Sequence, residues 1–139
     1  MGLGYCLTMN RRQLNSALAS AFVAGLAGLY TVAAAEQRFP DVVSVKVRAA
    51  RAGTFDFDIT VSSLYDTPAR YADGIRIRSK DGQVYGERKL FHDHADEQPF
   101  TRDLYDVKIP AGISAVVIEA RDQRYGYGGK TQLVQLPRR

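Results

Sequence analysis

A chain of 139 residues, 45% apolar and 24% charged, suits one small globular domain and excludes a multidomain enzyme. Its formal charge of +4 comes from 19 Lys and Arg against 15 Asp and Glu, and setting aside Arg11 and Arg12, which sit in a leader-like segment, leaves 17 against 15. Arg138 and Arg139 carry that remainder at the end of the chain, so the body of the domain is near neutral and lacks the basic field that nucleic acid requires.

The segment Ala17 to Ala35 is apolar, rich in Ala and Gly, preceded by Arg11-Arg12 and closed by Ala33-Ala34-Ala35, the pattern of a signal peptide. As a membrane anchor it barely reaches the roughly 20 residues that a bilayer demands. Asn10-Arg11-Arg12-Gln13-Leu14 resembles a twin-arginine signal, with ordinary secretion as the alternative. Cleavage after Ala35 leaves residues 36–139 as the exported domain, periplasmic or secreted, with no membrane attachment. Met9 stands where such a leader would normally begin. The single cysteine, Cys6, precedes it, so the domain has no thiol for a disulfide, a thiolate metal site or a nucleophile.

After Pro40 apolar residues alternate with polar ones at period two, the signature of strands with one buried face. Val43, Val45 and Val47 form the first such face, and Phe55, Phe57, Ile59 and Val61 the clearest. Ile75 and Ile77 lead through Asp81-Gly82 into a return strand from Val84 to Phe91, a strong hairpin signal. Leu104, Val107 and Ile109 mark a less regular strand that ends at Pro110. Val116, Ile118 and Ala120 mark the next, and Lys130 to Leu136 the last. No window of the domain holds an apolar face at helical spacing. The pattern predicts an all-β fold: one antiparallel β-sandwich of immunoglobulin or fibronectin type III-like shape, with about seven strands.

If every strand reverses direction, the connections 62–71, 91–101 and 122–129 share one pole, and short Gly/Pro turns occupy the other. The first group holds Tyr65, Asp122, Tyr125 and Tyr127 together with both histidines, so a ligand site belongs there. Within it, His92-x-His94 lies beside Asp96 and Glu97. An extended His-x-His would present two imidazoles to one side, and with carboxylate oxygens that set suits Zn or Cu better than an all-oxygen calcium site. A loop merely stiffened by imidazole–carboxylate bonds, or a direct ligand contact, fits the same residues. Glu97 to Arg102 also has a structural reading, with Phe100 in the core and Arg102 paired to Glu97 or Asp103. Gly126-Tyr127-Gly128-Gly129 serves either as a tight turn or as a flexible lip exposing Tyr125 and Tyr127.

The stretch His92-x-His94-x-x-Glu97-Gln98-Pro99-Phe100-Thr101-Arg102, followed by Ile109-Pro110, Ala120-x-Asp122 and Gly126-Tyr127-Gly128-Gly129-Lys130, resembles a family of small exported prokaryotic β-sandwich domains of uncharacterised function. The resemblance spans most of Asp41 to Pro137. It implies an exported sandwich in which the His and Gly-Tyr-Gly-Gly segments act together. Family members often carry Trp in the loop matching Ser63–Tyr71, where this chain has Leu64 and Tyr65.

Neither a G-x-S-x-G elbow nor an H-E-x-x-H pair occurs, and short loops leave little room for a catalytic cavity. The expected function is therefore a non-enzymatic binding or accessory module. It would use the His pole for a metal ion (Zn or Cu) or a small ligand. The alternative is a carbohydrate- or protein-interaction sandwich without metal, in which Tyr65, Tyr71, Tyr125 and Tyr127 offer stacking surfaces and acidic residues bind hydroxyls.

Overall fold

The computed structural model describes residues 35–138. The leader up to residue 34, with Arg11, Arg12 and Cys6, lies outside the described residues. Seven strands follow in chain order: β1 Asp41–Ala49, β2 Thr54–Ser62, β3 Ala72–Arg78, β4 Val84–Lys89, β5 Phe100–Lys108, β6 Ala115–Asp122 and β7 Gly126–Gln135. They form two antiparallel sheets, ordered β1-β2-β5 and β4-β3-β6-β7. The inner faces pack into a β-sandwich, as the period-two pattern predicts. The only helical element among the described residues is a single turn, Ala95–Glu97, and no helix there is long and apolar enough to cross a membrane.

β2 shows why the strands form. Phe55, Phe57, Ile59 and Val61 are all buried, while the residues between them face outward, where Arg48 of β1 pairs with Asp56 and Asp58. Ile75 and Ile77 of β3, Phe100 and Val107 of β5, and Val116 and Ile118 of β6 complete the core. Each such side chain contributes about 1.5–3 kcal/mol on burial. The β3–β4 turn closes at Asp81-Gly82, where Gly82 takes φ +102°.

Three expectations change in detail. On β1 it is Val42 that enters the core while Val43 is exposed, because the pairing with β2 slips between Val42 and Ser44 and a one-residue slip exchanges the faces. β4 ends at Lys89, so Leu90 turns into the core and Phe91 points out to solvent. β7 starts at Gly126, so Gly126-Tyr127-Gly128-Gly129 is strand and not a flexible lip. Its glycines answer to a crossing segment. A Cβ on Gly128 would lie 2.5 Å from the Phe39 ring, and one on Gly129 would collide with the Pro40 carbonyl oxygen. Beyond that crossing Lys130 N donates to Asp41 Oδ1 at 2.7 Å, tying β7 to the start of β1 across the sandwich edge.

Candidate functional site

The connections β2–β3 (63–71), β4–β5 (90–99) and β6–β7 (123–125) meet at one pole. Ser63 N donates to Gln98 Oε1 at 2.8 Å, and Gln98 Nε2 donates to the His94 carbonyl at 3.0 Å. Gln123 N donates to the Tyr71 carbonyl at 3.1 Å. Two buried carboxylates organise the junction. Asp66 accepts from Ala72 N through Oδ1 and from His94 N through Oδ2, both at 3.0 Å. Asp122, fully buried, accepts from Arg124 N at 2.9 Å, Tyr125 N at 2.7 Å and Arg70 Nε at 3.1 Å. A buried carboxylate persists only when so satisfied: Asp66 ties the β2–β3 connection to the β4–β5 connection and to the start of β3, and Asp122 at the end of β6 holds the β6–β7 turn and Arg70 of the β2–β3 connection.

The two histidines have different surroundings. His92 is exposed, whereas the His94 side chain is 1% exposed and stacked on Phe100, with ring centroids 4.0 Å apart and planes 16° from parallel. The segment is not extended as His-x-His on a strand would be, since His94 directly precedes the Ala95–Glu97 turn, yet the two rings still lie edge to face at 4.9 Å. His94 Nδ1 is 3.8 Å from Asp66 Oδ2, beyond hydrogen-bond reach, and neither ring nitrogen has a hydrogen-bond partner among the described residues. Burial, aided by the charge of Arg102 and opposed by that of Glu97, holds His94 below the ordinary imidazole range.

Asp96 is exposed, and Glu97 is held by Arg102, whose Nη2 lies 2.5 Å from Glu97 Oε1. That hydrogen bond, opposed by desolvation, lowers the Glu97 carboxyl below its usual value. Among the described residues no group of three His, Cys, Asp or Glu side chains is gathered to hold a metal ion.

The aromatic residues divide into two places. Tyr65 stacks under the Arg70 guanidinium at 4.1 Å and Tyr125 lies 4.9 Å from the same group, so both tyrosines flank the Arg70–Asp122 pair. Burial, with the Asp122 carboxylate adding to it, pushes the Tyr65 phenol far above its ordinary value. Tyr127 instead stands on the outer face of the four-stranded sheet. Arg76 covers its ring at 3.6 Å, and its hydroxyl donates to Glu87 Oε1 at 3.3 Å. Neither histidine hydrogen-bonds or stacks with Asp122 or Tyr127 among the described residues.

That outer face was legible in the sequence only as Arg alternating with Ile. Glu119 lies between Arg76, at 2.6 Å, and Arg78, also at 2.6 Å. Burial pushes its carboxyl upward, but hydrogen bonds from Arg78 and Arg76 outweigh it and leave it below the carboxylate norm. Toward the pole the face opens into a cleft of about 370 Å³ lined by Tyr71, Asp73, Glu87, Lys89, Phe91 and Arg121. Sequence reasoning passed over Asp73, Arg121 and Phe91, because charged or terminal positions on a strand look like a solvated face until the neighbouring strands are placed.

A protein of Halomicrobium mukohataei named "Putative lipoprotein" is 33% identical over 97 residues, which cover 70% of this chain and 47% of that protein. The chain thus spans about half the length of the curated relative it matches. No family model matches the chain, and no solved structure matches it.

Proposed function

We propose that this chain is an exported, non-enzymatic binding or accessory module of the cell envelope, delivered by a leader over residues 1–35 ahead of a fibronectin type III-like sandwich over 36–139. Its binding end is the pole where the β2–β3, β4–β5 and β6–β7 connections meet. The observation that carries this reading is the bracing of those connections by the buried carboxylates Asp66 and Asp122. Rigid support of long loops at one end of a sheet scaffold is how binding surfaces are commonly held. Export is supported by the Arg11-Arg12 and Ala33-Ala34-Ala35 pattern and by the lipoprotein named among its relatives. Cell fractionation with N-terminal sequencing tests it: a mature chain beginning near Glu36 outside the cytoplasm is the expected result, and retention of the whole chain in the cytoplasm overturns it. Replacing Arg11 and Arg12 by Lys stops export by the twin-arginine route, whereas continued export assigns the ordinary secretory route.

A second reading places Zn or Cu in the His loop. It draws on two imidazoles at 4.9 Å and on the unpartnered nitrogens of His94, with Asp96 and Glu97 following in the same connection. Glu97 must leave Arg102 to join such a site. Calorimetric titration with Zn²⁺ and Cu²⁺ decides it. Stoichiometric uptake that is lost in His92→Ala/His94→Ala supports the metal, and no uptake by the wild-type chain removes it.

A further inference from the structure

The geometry points to a saccharide site in the cleft on the outer face of the four-stranded sheet, built for a neutral, hydroxyl-rich ligand. The inference rests on the reading of a binding module and supplies its ligand class. The cleft lies where β3, β4 and β6 approach the pole, with Asp73 on β3, Glu87 and Lys89 on β4, and Arg121 on β6. Its volume of about 370 Å³ falls within the range of small-ligand sites.

The charges choose the ligand. Two carboxylates and two cations share one cleft, so an anion would meet Asp73 and Glu87 and a cation would meet Lys89 and Arg121. A hydroxyl both donates and accepts, and a run of them satisfies both kinds of group without a like-charge contact. The pairs are also prearranged. Arg121 Nη1 holds Asp73 Oδ2, which sets a guanidinium and a carboxylate side by side, an arrangement that matches adjacent hydroxyls. Asp73 Oδ1 is buried without a hydrogen-bond partner among the described residues, so the carboxylate that Arg121 holds through Oδ2 keeps an unused acceptor at the cleft lining. Glu87 lines the cleft while its Oε1 accepts from the Tyr127 hydroxyl, and Lys89 makes no ion pair among the described residues.

Phe91 supplies the apolar half of the recognition. It is 82% exposed, the most exposed large apolar side chain among the described residues, and the Tyr71 hydroxyl donates to its carbonyl at 3.2 Å, which fixes its backbone beside the cleft. An exposed ring at the edge of a polar cleft offers a stacking surface for the C–H face of a sugar.

The test is an NMR titration of the chain expressed from its full coding sequence, using maltotriose, cellotriose, laminaritriose and tri-N-acetylchitotriose as neutral probes, with trigalacturonate and the chitosan trimer as charged ones. Saturable shifts at Tyr71, Asp73, Glu87 to Phe91 and Arg121 with a neutral probe are expected. Phe91→Ala, which removes a solvent-facing ring and keeps the fold, should weaken that probe about tenfold. A Glu87→Gln/Lys89→Met double variant should weaken it as well. The inference is overturned if no neutral probe binds, if only charged probes bind, if the shifts fall in the His loop or at the opposite pole, or if Phe91→Ala leaves affinity unchanged. An exported chain without saccharide affinity loses this ligand and keeps the module, while a saccharide-binding chain retained in the cytoplasm keeps the cleft and loses the export.

Discussion

His94 lies flat on Phe100, six residues further along the chain, with ring centroids 4.0 Å apart. The stack turns a polar loop inward: the imidazole becomes part of the core that Phe100 enters from β5, while its backbone N–H is held by Asp66. A neutral imidazole suits that place and an imidazolium does not, because burial and Arg102 both oppose the charge, with Glu97, 2.5 Å from Arg102, working against them.

Stability should therefore fall with acidification in a window set by His94. Its folded pKa lies below the ordinary 6.5, so the unfolded chain binds a proton that the folded chain refuses. The contribution of the neutral form is complete above about pH 6.5 and is lost as pH drops below it, with a slope approaching about 1.4 kcal/mol per pH unit. Urea denaturation at pH 7.5, 6.5 and 5.5 measures it, and His94→Phe, which keeps the stack and cannot titrate, should flatten the dependence. Parallel curves for the two proteins would show that His94 is not the group responsible. Glu97 and Glu119, held below their ordinary 4.5 by arginines, begin to lose their contributions only below about pH 4.5, outside the measured range of pH 7.5 to 5.5.

Asp122→Ala should cost about 3–5 kcal/mol in equilibrium unfolding, since it strips partners from Arg70 and two backbone N–H groups in a buried setting. Asp122→Asn keeps an acceptor for Arg124 and Tyr125 and removes the charge beside Arg70, so its cost should be smaller, about 1–3 kcal/mol. Equal losses for the two would mean that the charge pairing alone matters.

Glycine substitutions separate backbone strain from collision. Gly53 has φ +78° and open space where a Cβ would sit, so Gly53→Ala should cost about 1–2 kcal/mol. Gly129 has nearly the same φ, +77°, but its Cβ would strike the Pro40 carbonyl oxygen and Asp41. Gly129→Ala should cost distinctly more, and amide exchange at Lys130 should quicken as its bond to Asp41 loosens. Similar thermal midpoints for the two variants would refute the crossing as the reason for that glycine.

Glu119→Gln should destabilise the four-stranded sheet by about 1–3 kcal/mol, because Arg76 and Arg78 lose their shared carboxylate in a partly buried position. Near-ultraviolet circular dichroism should also change, since Arg76 carries the Tyr127 ring.

The alternation of Phe55, Phe57, Ile59 and Val61, the Asp81-Gly82 turn and the absence of helical spacing determined by themselves that this chain forms an antiparallel sandwich, because a period of two admits one buried face and little else. Strand parity likewise grouped the chemistry-bearing connections at one pole. What only the tertiary structure decided is which of those residues meet. The slip between Ala72 and Gly74 aligns Gly74 with Arg121 and lets Asp73 reach it from 48 positions away. The stack on Phe100 buries His94 and leaves His92 outside, and the Phe39–Pro40 crossing packs on Gly128 and Gly129 of β7, whose Tyr127 meets Arg76 and Glu87. Periodicity encodes which side of its own strand a residue takes. Its neighbours depend on register, bulges and crossing segments, which are set by packing between parts of the chain far apart in sequence.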